Sequence, residues 1–340
     1  MGNVCKLSVI MDQNKQADIK QERDTAIDIL KFLAVFLITW SHFEAPLGKY
    51  AVLATGGALG DSLFFFMSGY TLLLSSKKLS FFNWYKRRIN RIYPTVFAWA
   101  LLSVILFGRC NDILHILLYG GGFFVTCIMV FYLLFYPIKQ HVPISYWGGV
   151  IGSYFLLQGG AYFFLDHNNH HTEYVWQWSS YFIPMLVGAL IGKKKKEGSN
   201  DVLFKMSKLF VIIGLLFSVM GYYLLMYLER SMPILTIFNI IPLVGFAYFL
   251  YGLCSSFTAR VFAKKWIYWT VRFVGGLCLE VYIVQPSIIT DRLNHLFPFN
   301  LLILFVAIIF AAYCLHCLAN LWAQTFKDGD YNWIEMVKPL

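Results

Sequence analysis

Lys31 and His42 sit eleven positions apart in the apolar run DILKFLAVFLITWSHFEAP, residues 28–46. At about 100° and 1.5 Å per residue that is three turns, so on a continuous helix both leave one face, roughly 16 Å apart along the axis. The pair sets a cation near one end of a membrane-length segment and an imidazole near the other. An imidazole titrates near neutral pH and can take the proton from a poor nucleophile such as a hydroxyl. A plainer reading also fits: Lys31 snorkels to headgroups and His42 rests at the opposite interface. Asp28 precedes Lys31 by one turn and is placed to pair with it. Glu44, two residues past His42, would point away from it on a regular helix.

Two neighbouring stretches carry further chemistry. FFNWYKRRINRIYP, 81–94, clusters Lys86, Arg87, Arg88 and Arg91 among Trp84, Tyr85, Ile89 and Ile92. Arg88 and Arg91 are three apart and share a helix face, within what reads as an interfacial amphipathic helix leading into a span. Its basic side chains suit membrane anchoring, and arginine pairs also grip phosphates in a bidentate manner. GALGDSLFFFMSGY, 57–70, mixes Gly, Ser68 and Asp61 with aromatics. Small residues there favour close helix packing, or the walls of a passage between helices. Ionisable residues inside a bilayer are expensive and face the bundle interior, which adds Asp61 and Glu280 to the candidates.

These residues need helices long enough to cross a bilayer. Of 340 residues, 59% are hydrophobic and 14% charged, about half the charged share of a soluble domain. The apolar runs are near 20 residues, the length of a spanning helix. Ten spans are expected: 25–46, 54–75, 93–109, 118–138, 145–165, 174–192, 207–228, 233–256, 268–290 and 299–322. The fold class is therefore an all-α polytopic bundle, with a cytoplasmic segment 1–24, a membrane domain 25–322 and a cytoplasmic tail 323–340. The 24 residues before the first run, mostly polar or charged, with no small-residue cleavage site after it, argue against a removed signal peptide. With the N-terminus inside, 23 of the 28 Lys and Arg residues fall on cytoplasmic segments and four outside. The net charge of +10 is thus explained by topology, and a nucleic-acid partner is unnecessary. The KKKKEGSN run, 193–200, reads as a solvated cytoplasmic loop with anionic lipid as a weaker option.

Seven scattered cysteines form neither a disulfide framework nor a zinc set, and CLHC at 314–317 reads as helix core; no metal is expected. The loop DHNNHHTEY, 166–174, reads as a flexible polar connection, with Trp176 and Trp178 as interfacial anchors.

Taken together, a cation and a histidine with ten residues between them in the first span, Phe64, Phe65, Ser68 and Gly69 matching FFxxSG, and Arg88 and Arg91 matching RxxR resemble the acyltransferase 3 family. Here Lys31 stands where the family usually has arginine. CLEVYIVQPSI, 278–288, is similar to a later family span of SLxIYLxH type, with Cys278 for serine and Gln285 for histidine. The resemblance implies an O-acyltransferase that takes an acetyl group from cytoplasmic acetyl-CoA to a glycan or lipid-linked saccharide acceptor, in a bacterial inner membrane. It implies a donor site of Lys31, Arg88 and Arg91 with Ser68, Lys86 and Arg87, and His42 as general base; Glu280 or Glu44 is the carboxylate expected to orient it, and the sequence does not choose between them. A covalent acyl-histidine relay stands as a second mechanism. A transporter or flippase of the same kind of substrate is the rival function, though no internal repeat is evident.

Overall fold

The computed structural model describes residues 24–74, 79–108, 112–167, 169–197, 206–262, 264–326 and 330–338. Every regular element among them is helical. The main helices are α1 Thr25–Ser41, α2 Gly57–Leu74, α3 Phe81–Phe107, α4 Gly122–His141, α5 Trp147–Tyr162, α6 His170–Ser180, α7 Phe182–Lys196, α8 Lys208–Leu228, α9 Ile240–Val261, α10 Lys265–Gly276, α11 Cys278–Ile288 and α12 Phe299–Thr325.

Among the described residues, six helices are long and apolar enough to cross a membrane, and eight if two bent pairs each count as one span. The expected count of ten differs for identifiable reasons. α5 and α7, at 16 and 15 residues, fall short of a full crossing by length. The segment 268–290 is broken at Leu277, where α10 and α11 meet at 69°. The first span is also broken: α1 ends at Ser41, and the chain turns by 65° into Glu44–Leu53. Both breaks place a residue near φ −90° and ψ 0–16°, the sparsely allowed bridge region. The basic stretch 81–94 does not form a separate interfacial helix. It is the first half of α3, which runs unbroken through Pro94 for 27 residues. The N-terminal segment 1–23 and the end of the tail lie outside the described residues.

The core gathers around α2, which packs on α1, α7 and α9. Its tightest contact is with α7, where two glycines face each other's backbone. A Cβ at Gly69 would fall on the Met185 carbonyl, and one at Gly188 on the Phe66 carbonyl. Small residues that let membrane helices touch backbone to backbone are the usual basis of such pairs. Gly69→Ala and Gly188→Ala are each expected to force the helices apart, at a cost of about 1–3 kcal/mol or more. A lowered midpoint in thermal unfolding of detergent-purified protein checks this, and an unchanged midpoint in both variants would contradict the contact.

α1 is crossed more gently by α10. Gly275 lies against the start of α1, and its missing Cβ would stand 3.1 Å from the Lys31 Cβ and the Asp28 carbonyl. α11 then runs alongside α1. Cys278 Sγ is 3.9 Å from the Lys31 carbonyl, and Thr39 Oγ1 donates to Gln285 Oε1 at 3.1 Å. α1, α2 and α11, together with α3, α4, α7 and α10, line the space described next.

Candidate functional site

α1 starts at Asp24, whose side chain accepts from the Ala26 amide as an N-cap. The other carboxylate oxygen of Asp24 accepts from Tyr70 at 2.6 Å, from Lys195 at 2.7 Å and from Tyr251 at 3.1 Å. Burial alone would raise this carboxyl, but the bonds from Lys195 and Tyr70 outweigh it and hold the group below the ordinary carboxylate range. Four helices, α1, α2, α7 and α9, are thus tied at one end, and the Lys195 ammonium is fixed there. Asp24, Tyr70 and Lys195 also line a cavity of about 920 Å³ between the helices. That volume suits a sizeable small molecule.

The cavity wall carries four cations, Lys31, Arg91, Lys195 and Lys196, and three carboxylates, Asp24, Asp28 and Glu280. Arg91 is exposed and so lies at the mouth, whereas Asp28 and Glu280 are buried. Ser68 and Thr71 add hydroxyls, and Phe64, Met67, Phe124 and Ile128 supply an apolar wall. Charged, hydroxyl and apolar side chains thus share one wall. Oppositely charged walls also lower the cost of holding the cations while the cavity is empty.

Of the residues picked out from sequence, Lys31, Ser68, Arg91 and Glu280 come together on this cavity. Arg88 does not line it. Its guanidinium lies over the rings of Trp84 and Tyr132, 5.3 and 5.7 Å from their centroids, behind the Tyr132 wall. Lys86 and Arg87 are exposed on the outer turn of α3, away from the cavity. His42 is exposed as well, capping the far end of α1. The helix face from Lys31 passes through Val35 and Ile38, which line a second void of about 10 Å³, the room of a single water. Phe64, Phe124 and Cys278 border both spaces and form the partition between them. The rings of Phe64 and Phe124 meet edge to face at 4.4 Å.

Glu280 does not orient His42. It sits in the first turn of α11, beside Lys31, and Gln285 five residues on is level with Thr39. At 1.5 Å per residue this puts Glu280 more than 10 Å short of His42 along the bundle. Its carboxylate is bound instead to His316 Nδ1 at 3.1 Å and accepts from Thr95 at 3.4 Å. Asn320 donates to His316 Nε2 at 2.9 Å, so the ring proton lies on Nδ1 and is directed at Glu280. The carboxylate within charge range of His42 is Glu44, because the break after Ser41 removes the regular-helix geometry that would have turned it away.

Four residues at three places were not legible in the sequence. Lys195 and Lys196 are exposed members of a lysine run; both line the cavity, and Lys195 is tied to Asp24. His316 looked like core in the CLHC stretch, and its partner lies 36 residues away. Tyr132 was one aromatic among many on α4. No local pattern could have found the first two; a buried acid such as Glu280 does require a partner, which was the available signal.

Helices long and apolar enough to cross a membrane, packed around a charged cavity, define a multi-pass membrane protein. Its sequence then specifies the class further: the chain belongs to the acyltransferase 3 family, whose model, described as an acyltransferase domain, matches residues 24–319 of the 340. No curated protein and no solved structure matches the chain.

Proposed function

We propose that the chain moves an acetyl group from acetyl-CoA on the cytoplasmic side to a hydroxyl of an envelope glycan, or of its lipid-linked precursor, on the other side of a bacterial inner membrane. The observation that carries this reading is the 920 Å³ cavity with Lys31, Arg91, Lys195 and Lys196 on its wall. Guanidinium and ammonium groups bind the phosphates of the nucleotide end. The pantetheine arm lies along Ser68, Met67 and Ile128, and the thioester meets the partition at Phe64, Phe124 and Cys278. His42 stands beyond it, on the same face of α1, as the base for the acceptor hydroxyl. The basic residues of the loops favour a cavity mouth inside the cell, with ten passes and both termini cytoplasmic. That reading counts the short helices α5 and α7 as the remaining two passes.

Transfer breaks the thioester C–S bond and forms a C–O ester. The acceptor proton leaves to His42 and the sulfur departs as the thiolate of CoA, which takes a proton from water to become the free thiol, while His42 later returns its proton to solvent. Membranes from cells that carry the chain, given acetyl-CoA, are therefore expected to release thiol in proportion to the amount of protein and to leave alkali-labile acetate on glycan. A carrier of the same substrates would release none, and equal thiol release by membranes lacking the chain would refute the proposal.

A further inference from the structure

Asp61 lies on α2, one and two turns outward from Phe64 and Ser68 on one helix face. Those two residues line the donor cavity; Asp61 lies beyond its partition. Its depth is fixed by the neighbouring glycines. A Cβ on Gly57 would stand 2.6 Å from Ser41 Oγ, and one on Gly60 2.6 Å from Ile38 Cγ1. Asp61 is therefore level with the turn of α1 that precedes His42. Its Oδ1 is sealed from solvent and, among the described residues, has no hydrogen-bond partner. An acid held so in a membrane bundle is costly and calls for a ligand or a role.

Its surroundings are aromatic and hydroxylated. Tyr174, Tyr181, Tyr222 and Tyr282 all lie within charge range of Asp61. Tyr282 borders the small void, and its ring packs 4.9 Å from that of Phe124. Tyr181 stacks on Phe65 at 5.5 Å and meets Trp178 at 5.5 Å. Tyr174, on α6, is itself exposed and packs on Phe123 at 4.8 Å, so the cluster reaches the surface.

We infer that Asp61 and the tyrosines around it form the acceptor site, and that the acceptor is a saccharide whose hydroxyl donates to the free Asp61 oxygen. A carboxylate accepts from hydroxyls, phenols both donate and accept, and flat rings cover the apolar faces that sugars present between their hydroxyl rims. The donor cavity offers four cations; this site offers a lone acid and phenols, which repel an acyl-CoA phosphate and admit a neutral polyol. The inference rests on the acyl-transfer reading above and specifies its second substrate.

The test uses cells that express the full chain, with acetate released from surface glycan by mild alkali as the readout. Asp61→Asn and Asp61→Ser each remove a buried charge and so favour folding. Both are expected to lower glycan acetate at least tenfold, while the purified variants bind acetyl-CoA within twofold of the parent chain. Acetate at half the parental level or more, or loss of acetyl-CoA binding together with acetate, would overturn the acceptor assignment. So would acetyl groups that resist mild alkali, because these mark an amine acceptor. If the parent chain itself adds no acetyl groups over cells lacking it, the acyl-transfer reading fails, a result separate from any effect of Asp61.

Discussion

Removing the two family cations that reach the cavity, Lys31→Ala with Arg91→Ala, is expected to abolish measurable binding of acetyl-CoA to the purified protein. A hydrogen bond to a charged group contributes about 1.5–3 kcal/mol, so each substitution alone should weaken binding roughly tenfold to a hundredfold. The contrast with their sequence neighbours is the sharper part. Lys86 and Arg87 are exposed and off the cavity, so Lys86→Ala and Arg87→Ala should leave affinity within twofold. Arg88→Ala acts differently, because its guanidinium supports Trp84 and Tyr132. Its loss should lower the unfolding midpoint more than it lowers affinity. Titration by calorimetry separates these cases. Equal losses from all four basic residues of the stretch would return the cluster to a general electrostatic role.

His42→Ala is expected to reduce turnover by about 10²–10⁴-fold, the usual contribution of a positioned acid or base, with acetyl-CoA affinity unchanged. The side chain is exposed, and the cap bonds run from the backbone amide to the Thr39 and Trp40 carbonyls, so stability should shift by no more than about 0.5 kcal/mol. Val35 and Ile38 separate it from the donor cavity, which is why binding and turnover should part. The measurement is initial-rate thiol release at saturating acetyl-CoA, beside an equilibrium binding curve. A variant that keeps most of its turnover would remove His42 from the chemistry and leave it an interfacial residue.

The sequence made the cavity half legible. Lys31, Ser68 and Arg91 stand in local motifs, and Glu280 is conspicuous as an acid in an apolar run. Spacing could not separate Arg88 from Arg91, since both occupy one face of α3. Tyr132, a residue on α4, decides which of them is turned to a ring and which to the mouth. Hydropathy likewise ran straight across the breaks at His42 and Leu277, because a bend changes direction and not composition. Gly275 and Gly276 just ahead of Leu277 were the local hint of the second break. The role of Asp24 was out of reach of any window, as its partners lie 46, 171 and 227 residues away.

The partition of Phe64, Phe124 and Cys278 has an electrical meaning. On either side of it the bundle is polar, with seven charged residues on the cavity wall and Asp61 and His42 beyond. Between them stand two benzene rings, a thiol and the aliphatic side chains of Val35 and Ile38. A water file through that layer would let ions run down the membrane potential, worth about 2.3 kcal/mol per charge for each 100 mV. The layer therefore acts as a dielectric between the charged cavity and the polar residues beyond it. It keeps the protein from shunting the membrane that it spans.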